Sequence, residues 1–211
     1  MSVQLYKPHP WHGIPIGENF PEVITAYIEM VPADTVKYEI DKFTGYRKVD
    51  RPQKFSNYVP ALYGFVPQTY CAEQVRDYAQ QRSGKQVEKG DGDPLDICVL
   101  TERHITNGDI ILEAIPIGGF RMIDKGEADD KIIAVLKQDE VYGGLTDVNN
   151  CPPTLINRLK HYFLTYKNMP GQENKAVEIT HVYGREEAME VIRRSVKDYN
   201  DHFRSHLNIG V

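Results

Sequence analysis

No stretch of the 211-residue chain is long and apolar enough to cross a bilayer. The longest candidate, IILEAIPIGGF, is broken by Glu113 and Pro116, whereas a helix spanning the roughly 30 Å hydrocarbon core needs about 20 apolar residues. Cysteine is scarce. Cys71, Cys98 and Cys151 cannot all pair and lack metal-type spacing, which excludes a disulfide framework and points to a reducing compartment. No Asn-x-Ser/Thr acceptor occurs, and the start, MSVQLYKPHPWHG, has no apolar signal core, so the expected location is the cytoplasm. Positive charge is in deficit, with 25 Lys and Arg against 30 Asp and Glu, a net charge of -5. That sign excludes a general nucleic-acid binder and leaves any phosphate chemistry to local groups. Internal repeats are also missing.

What is present suits one globular domain over residues 1–211, with 41% apolar and 26% charged residues. From Val23 to Met30, Ile24, Ala26, Ile28 and Met30 alternate with Thr25, Tyr27 and Glu29, the period of a half-buried strand with Glu29 on its less apolar face. Val36, Tyr38 and Ile40 repeat the pattern, with Lys37, Glu39 and Asp41 on a charged face and Thr44-Gly45 as a turn. Further strands are expected at Tyr46–Val49, Ile97–Leu100, Ile110–Ile117 and Ile132–Leu136. Pro152-Pro153 opens a helix whose stripe is Leu155, Ile156, Leu159, Tyr162, Phe163 and Tyr166, ending near Lys167. A second helix starts near Glu186, its stripe running from Ala188 through Val191, Ile192, Ser195, Val196 and Tyr199 to Phe203. Residues 71–89 are polar and read as a surface excursion, and about 1–20 as a docking segment. Strands followed by segregated helices favour an α+β arrangement, mainly β, with helices packed outside.

The sharpest feature is GDGDPLDICVL, where Asp91, Asp93 and Asp96 crowd a turn stiffened by Gly and Pro. Carboxylates this close repel one another, and a divalent cation is the natural counter-charge for hard oxygen donors packed so. A calcium EF-hand fails. Leu95 stands at loop position five, Asp96 replaces the turn glycine at six, and ICVL favours a strand where the exit helix belongs. A second acidic cluster, Asp124, Glu127, Asp129 and Asp130, precedes Lys131. Two such clusters converging on metals, with Lys37, Arg51, Lys131 and Lys167 as anion contacts, suggest phosphoryl chemistry.

The chain resembles the family I soluble inorganic pyrophosphatases over nearly its whole length. The family's Asp-x-Asp-Pro-x-Asp signature is met by Asp91, Asp93, Pro94 and Asp96, and the blocks IEMVPADTVKYEID, VDR, MIDKGEADDK and HYFLTYK agree in order and spacing. The resemblance implies an OB-like five-stranded β-barrel with two C-terminal helices outside, and hydrolysis of pyrophosphate to two phosphates by a metal-activated water. It implies several Mg²⁺ ions per active site and a homo-oligomer, dimer or hexamer. By position, Asp91, Asp96, Asp124 and Asp129 resemble metal ligands, Asp96 bridging two ions, and Glu29 and Glu39 resemble acids acting on metals through water. Asp93 resembles the general base. Lys37, Arg51, Tyr63, Lys131, Tyr166 and Lys167 match the family's phosphate-binding positions.

One departure is Val59 in YVPALYG, where many members carry a tyrosine, with Tyr58 one place off. HPWH sets His9 and His12 around Trp11, too few ligands for a zinc site, and is read as docking. Two other functions compete: a non-catalytic OB-like nucleic-acid module, opposed by the charge, and a phosphohydrolase of another small phosphate ester, for which no base-stacking or ribose-recognition motif is evident.

Overall fold

The computed structural model describes residues 7–167 and 177–204. Its ten strands and three helices follow the order β1 (Ile24–Met30), β2 (Val36–Ile40), β3 (Arg47–Pro52), β4 (Leu62–Phe65), α1 (Glu73–Ser83), β5 (Lys89–Gly90), β6 (Asp96–Leu100), β7 (Ile110–Asp124), β8 (Glu127–Ala128), β9 (Lys131–Leu136), α2 (Pro153–Thr165), β10 (Val177–Gly184) and α3 (Arg185–Tyr199). No helix among the described residues is long and apolar enough to cross a membrane.

Five strands close a ring in the order β1-β4-β6-β9-β7, because β7 also pairs with β1, Ile24 lying opposite Ala114. This is the OB-like arrangement expected, though not a regular barrel. β7 is 15 residues long, kinks where its register with β9 shifts between Pro116 and Gly118, and runs on past the ring to pair with β8 and β10. β2 and β3 form a separate hairpin with Lys37 opposite Arg51.

Ring strands are buried on both faces. In β6, Ile97 and Val99 enter one core with Val75 and Ala79 of α1 and with Ala188, Val191 and Ile192 of α3, whereas Cys98 and Leu100 enter another with Ile156, Leu159 and Phe163 of α2. β1 behaves likewise. Glu29 lies, as expected, on the face opposite Ile24, Ala26 and Ile28, but the expectation of a half-buried strand is corrected, since that face is covered too and Glu29 is 7% exposed beside Ile40 of a third core. That core is closed by Trp11, so the N-terminal segment covers what a lone alternating strand would leave open.

The stretch 71–89 is largely α1, one face of which enters the core. β10 was not anticipated; its residues are half-buried along most of their length and its Glu178, Thr180 and His181 dilute the apolar signal. Val59 is fully buried in the α2 core, and Tyr58 is exposed and does not line the cleft described below. All three cysteines are free and buried.

Candidate active site

The parallel pairing of β6 with β9 places the first residues of both strands, Asp96 and Lys131, side by side. The loops preceding two parallel strands reach the same end of a sheet. The loop before β6 thus brings Asp91 and Asp93, and the turn between β7 and β9 brings Asp124 and Asp129. Together with the β2 end of the hairpin and the exit of α2, they enclose a cleft of about 270 Å³. Of the thirteen predicted site residues, twelve line it: Glu29, Lys37, Glu39, Tyr63, Asp91, Asp93, Asp96, Asp124, Asp129, Lys131, Tyr166 and Lys167. Arg51 stands just outside, its guanidinium 5.9 Å over the Tyr166 ring and ion-paired with Asp50.

Among the described residues, eight carboxylates and four ammonium groups line this cleft. Burial, with Asp129 adding to it, holds the Asp91 carboxyl well above the usual carboxylate range, and burial likewise raises Asp129, the two sharing a side-chain hydrogen bond. Burial pushes Glu29 up to about 8, opposed by the hydrogen bond that the Ile40 N–H donates to its Oε1 at 2.6 Å. One oxygen of Asp124 is buried with no hydrogen-bond partner among the described residues, while the other accepts from Lys167 at 2.9 Å. An excess of mutually repelling oxygen donors, one of them unpartnered, fits a divalent cation. Among the described residues no three acidic or His/Cys side chains form a closed cation cluster, and the Lys131 ammonium stands between Asp96 and Asp129.

The cations are held in distinct ways. Burial opposes the charge of Lys131, but Asp129 and Asp96 outweigh it and keep the ammonium protonated far into the alkaline range. Lys37 reaches Glu39 at 3.1 Å and Asp50 at 2.9 Å. The Tyr63 hydroxyl, kept protonated by burial and by Asp96, donates to Asp96 at 2.6 Å. Tyr166 caps the C-terminus of α2 and stacks on Tyr162, so the α2 stripe delivers both Tyr166 and Lys167 to the cleft.

Two charged lining residues escaped the sequence reading in part or whole. Glu127 belongs to the second acidic cluster without an assigned role, and Lys42 follows the β2 alternation in a turn where no periodicity marks it. Asp130, in the two-residue link between β8 and β9, does not line the cleft and instead pairs with the buried Arg121, 3.3 Å distant.

A family model described as inorganic pyrophosphatase matches residues 26–200. The chain is 53% identical to the inorganic pyrophosphatase of Chlamydia trachomatis serovar L2 over 195 residues, covering 90% of this chain and 93% of that one. It is 37% identical to soluble inorganic pyrophosphatase 2 of Chlamydomonas reinhardtii, covering 92% and 90%. Its structure is similar to the crystal structure of the inorganic pyrophosphatase from Thermus thermophilus, with a TM-score of 0.74 at 28% identity and coverage of 92% and 99%.

Proposed function

The chain belongs to the inorganic pyrophosphatase family and hydrolyses inorganic pyrophosphate to two phosphates, and we propose that it does so in the cleft between β6, β9 and the β2–β3 hairpin. The observation that carries this reading is the meeting, in that one cleft, of carboxylates from two separate acidic segments with lysines from β2, β9 and the end of α2.

Asp91, Asp96, Asp124 and Asp129 would hold divalent cations, Mg²⁺ foremost and several per site, with Glu29 and Glu39 acting through intervening water. The ions supply charge neutralisation on the phosphoryl oxygens and acidification of water. Asp93 is the general base. Its side chain is 46% exposed to the cleft, free of the crowding around Asp91, and takes the proton as the water oxygen bonds to one phosphorus and the bridging P–O bond breaks. The electron pair leaves on the departing phosphate. Lys37, Arg51, Lys131 and Lys167, with the hydroxyls of Tyr63 and Tyr166, offset that developing charge.

We assign the site to a single domain of one chain, and the protein to the cytoplasm as a homo-oligomer acting without nucleic acid or membrane. The test is phosphate release from pyrophosphate, ATP and a simple phosphate monoester in parallel, with Mg²⁺ and with chelator. Rapid Mg²⁺-dependent turnover confined to pyrophosphate is expected, and equal turnover of the monoester would overturn the assignment.

A further inference from the structure

The HPWH segment has no role in the reaction as described so far, yet it grips both walls of the cleft around Asp93. On one wall, the Trp11 indole donates to the Thr69 carbonyl at 2.7 Å, and the Thr69 hydroxyl oxygen accepts the Leu95 N–H at 2.9 Å, fixing the backbone two residues after Asp93. On the other, His9 reaches the turn that carries Lys42. His9 Nδ1 accepts the Trp11 N–H at 3.2 Å, so its Nε2 bears the hydrogen and donates to the Lys42 carbonyl at 3.2 Å. Gly45, at φ +73°, packs so closely that a Cβ would lie 2.8 Å from His9 Cδ2 and Pro10 Cδ. From this anchored turn the Lys42 ammonium extends into the cleft and ion-pairs with Asp93.

The other three lysines that line the cleft among the described residues are engaged elsewhere: Lys37 with Glu39 and Asp50, Lys131 with Asp96 and Asp129, Lys167 with Asp124. Lys42 alone among them faces the base. A water that gives its proton to Asp93 must lie against that carboxylate, so the oxygens of the phosphorus it attacks come within a few ångströms of it, roughly the near-attack separation. An ammonium touching Asp93 reaches those oxygens by a rotation of its own side chain, which is 56% exposed and loses little hydration in moving.

We propose that Lys42 is a further phosphate-contacting residue, meeting the phosphoryl group under attack, and that His9 is a positioning residue acting through it. The inference rests on the pyrophosphatase reading of the cleft. It assigns to HPWH the task of setting Lys42 and Asp93 opposite one another.

The experiment compares wild type with Lys42→Met, Lys42→Arg, His9→Ala and the Lys42→Met/His9→Ala pair. Pyrophosphate kinetics are measured beside calorimetric binding of inorganic phosphate in Mg²⁺, with thermal unfolding to establish that each variant is folded. Loss of one exposed charged contact predicts for Lys42→Met a roughly tenfold rise in KM and a similar weakening of phosphate binding, with kcat far less affected. Lys42→Arg restores most of both. His9→Ala shows a smaller loss of the same kind, and adds almost nothing once Lys42 is Met. Folded Lys42→Met with wild-type KM and phosphate affinity, or Lys42→Arg no better than Met, overturns the role of Lys42. Additive His9 and Lys42 losses overturn the positioning role of His9. A wild-type protein silent on pyrophosphate would sink the broader reading instead, and the phosphate-binding arm still reports on Lys42.

Discussion

Asp93 and Asp91 are two residues apart and live in different surroundings. Asp91 is buried against Asp129, whereas Asp93 opens to the cleft with Lys42 beside it. Replacing Asp93 by Asn removes the proton acceptor proposed above and leaves shape and neighbouring donors in place, so turnover should fall by about 10² or more while Mg²⁺ binding and thermal stability stay near wild type. Steady-state kinetics beside calorimetry decide it, and a folded variant with normal turnover removes Asp93 from the role. Glu29 offers a second residue-scale outcome. Its carboxyl titrates near 4.5 in the unfolded chain and near 8 when folded, because burial disfavours the charge. Between those values the unfolded chain loses a proton that the folded one keeps, so without metal the stability contribution is whole below pH 4.5 and is lost as pH rises through 8. Glu29→Gln should abolish that loss, amounting to roughly a few kcal/mol. Thermal unfolding in chelator at pH 4.5 and 8.5 measures it, and parallel behaviour of the two proteins contradicts it. Asp91, Asp93 and Asp96 were legible in the sequence because three carboxylates within six residues demand an explanation. The burial of Glu29 was not, since it depends on β2 folding back against β1, where the Ile40 N–H donates to the carboxylate.

Helix α1 shows what local sequence withholds at the next scale. Its apolar content is small, Val75 and Ala79 alone being buried, and the residue before it, Ala72, has no side chain to cap it. The cap comes from α3 instead: Asp198 accepts the N–H groups of Ala72, Gln74 and Val75 at 3.0, 3.0 and 3.1 Å. Asp198→Ala leaves three amides of the first turn without partners and should destabilise the protein by about 2–4 kcal/mol. Urea denaturation tests this, and a loss under about 0.5 kcal/mol, the usual size for a surface substitution, would show that the cap is dispensable. α2 and α3 were legible because each carries its own apolar stripe, and α2 starts with Pro at its first helical position, as the double proline predicted. β10 and the second half of β7 were not, because they depend on pairing with each other, Gly119 opposite Tyr183, across some sixty residues.

At the scale of the whole molecule, the cleft concentrates negative charge, its carboxylates outnumbering its ammonium groups among the described residues, which is the balance the proposed divalent cations would correct. Mg²⁺ binding the folded state alone should raise the thermal midpoint, by the equivalent of about 2.7 kcal/mol at a hundred times its dissociation constant. Asp96→Ala should lose most of that rise. If the midpoint of Asp96→Ala rises as much as that of wild type, Asp96 is not a ligand. Ca²⁺ should bind but support little hydrolysis and inhibit in competition with Mg²⁺, because its oxygen distances of about 2.3–2.6 Å exceed the 2.0–2.1 Å of Mg²⁺ and spoil the attack geometry. Full activity with Ca²⁺ as the only metal would contradict this.

The closed ring also sets a timetable for the nascent chain. β1 is complete at Met30, but its partners β4 and β7 begin at Leu62 and Ile110. At a synthesis rate of roughly 5–20 residues per second, the strand waits about 4–16 s for the second of them. Until β4 is made both edges of this apolar strand lack partners, and from then until β7 is made the edge that β7 will cover stays open to other chains. The ribosome-bound intermediate, more than the finished protein, is therefore the state in which this chain is open to aggregation. Low temperature and slow translation through residues 30–110 act on that interval directly.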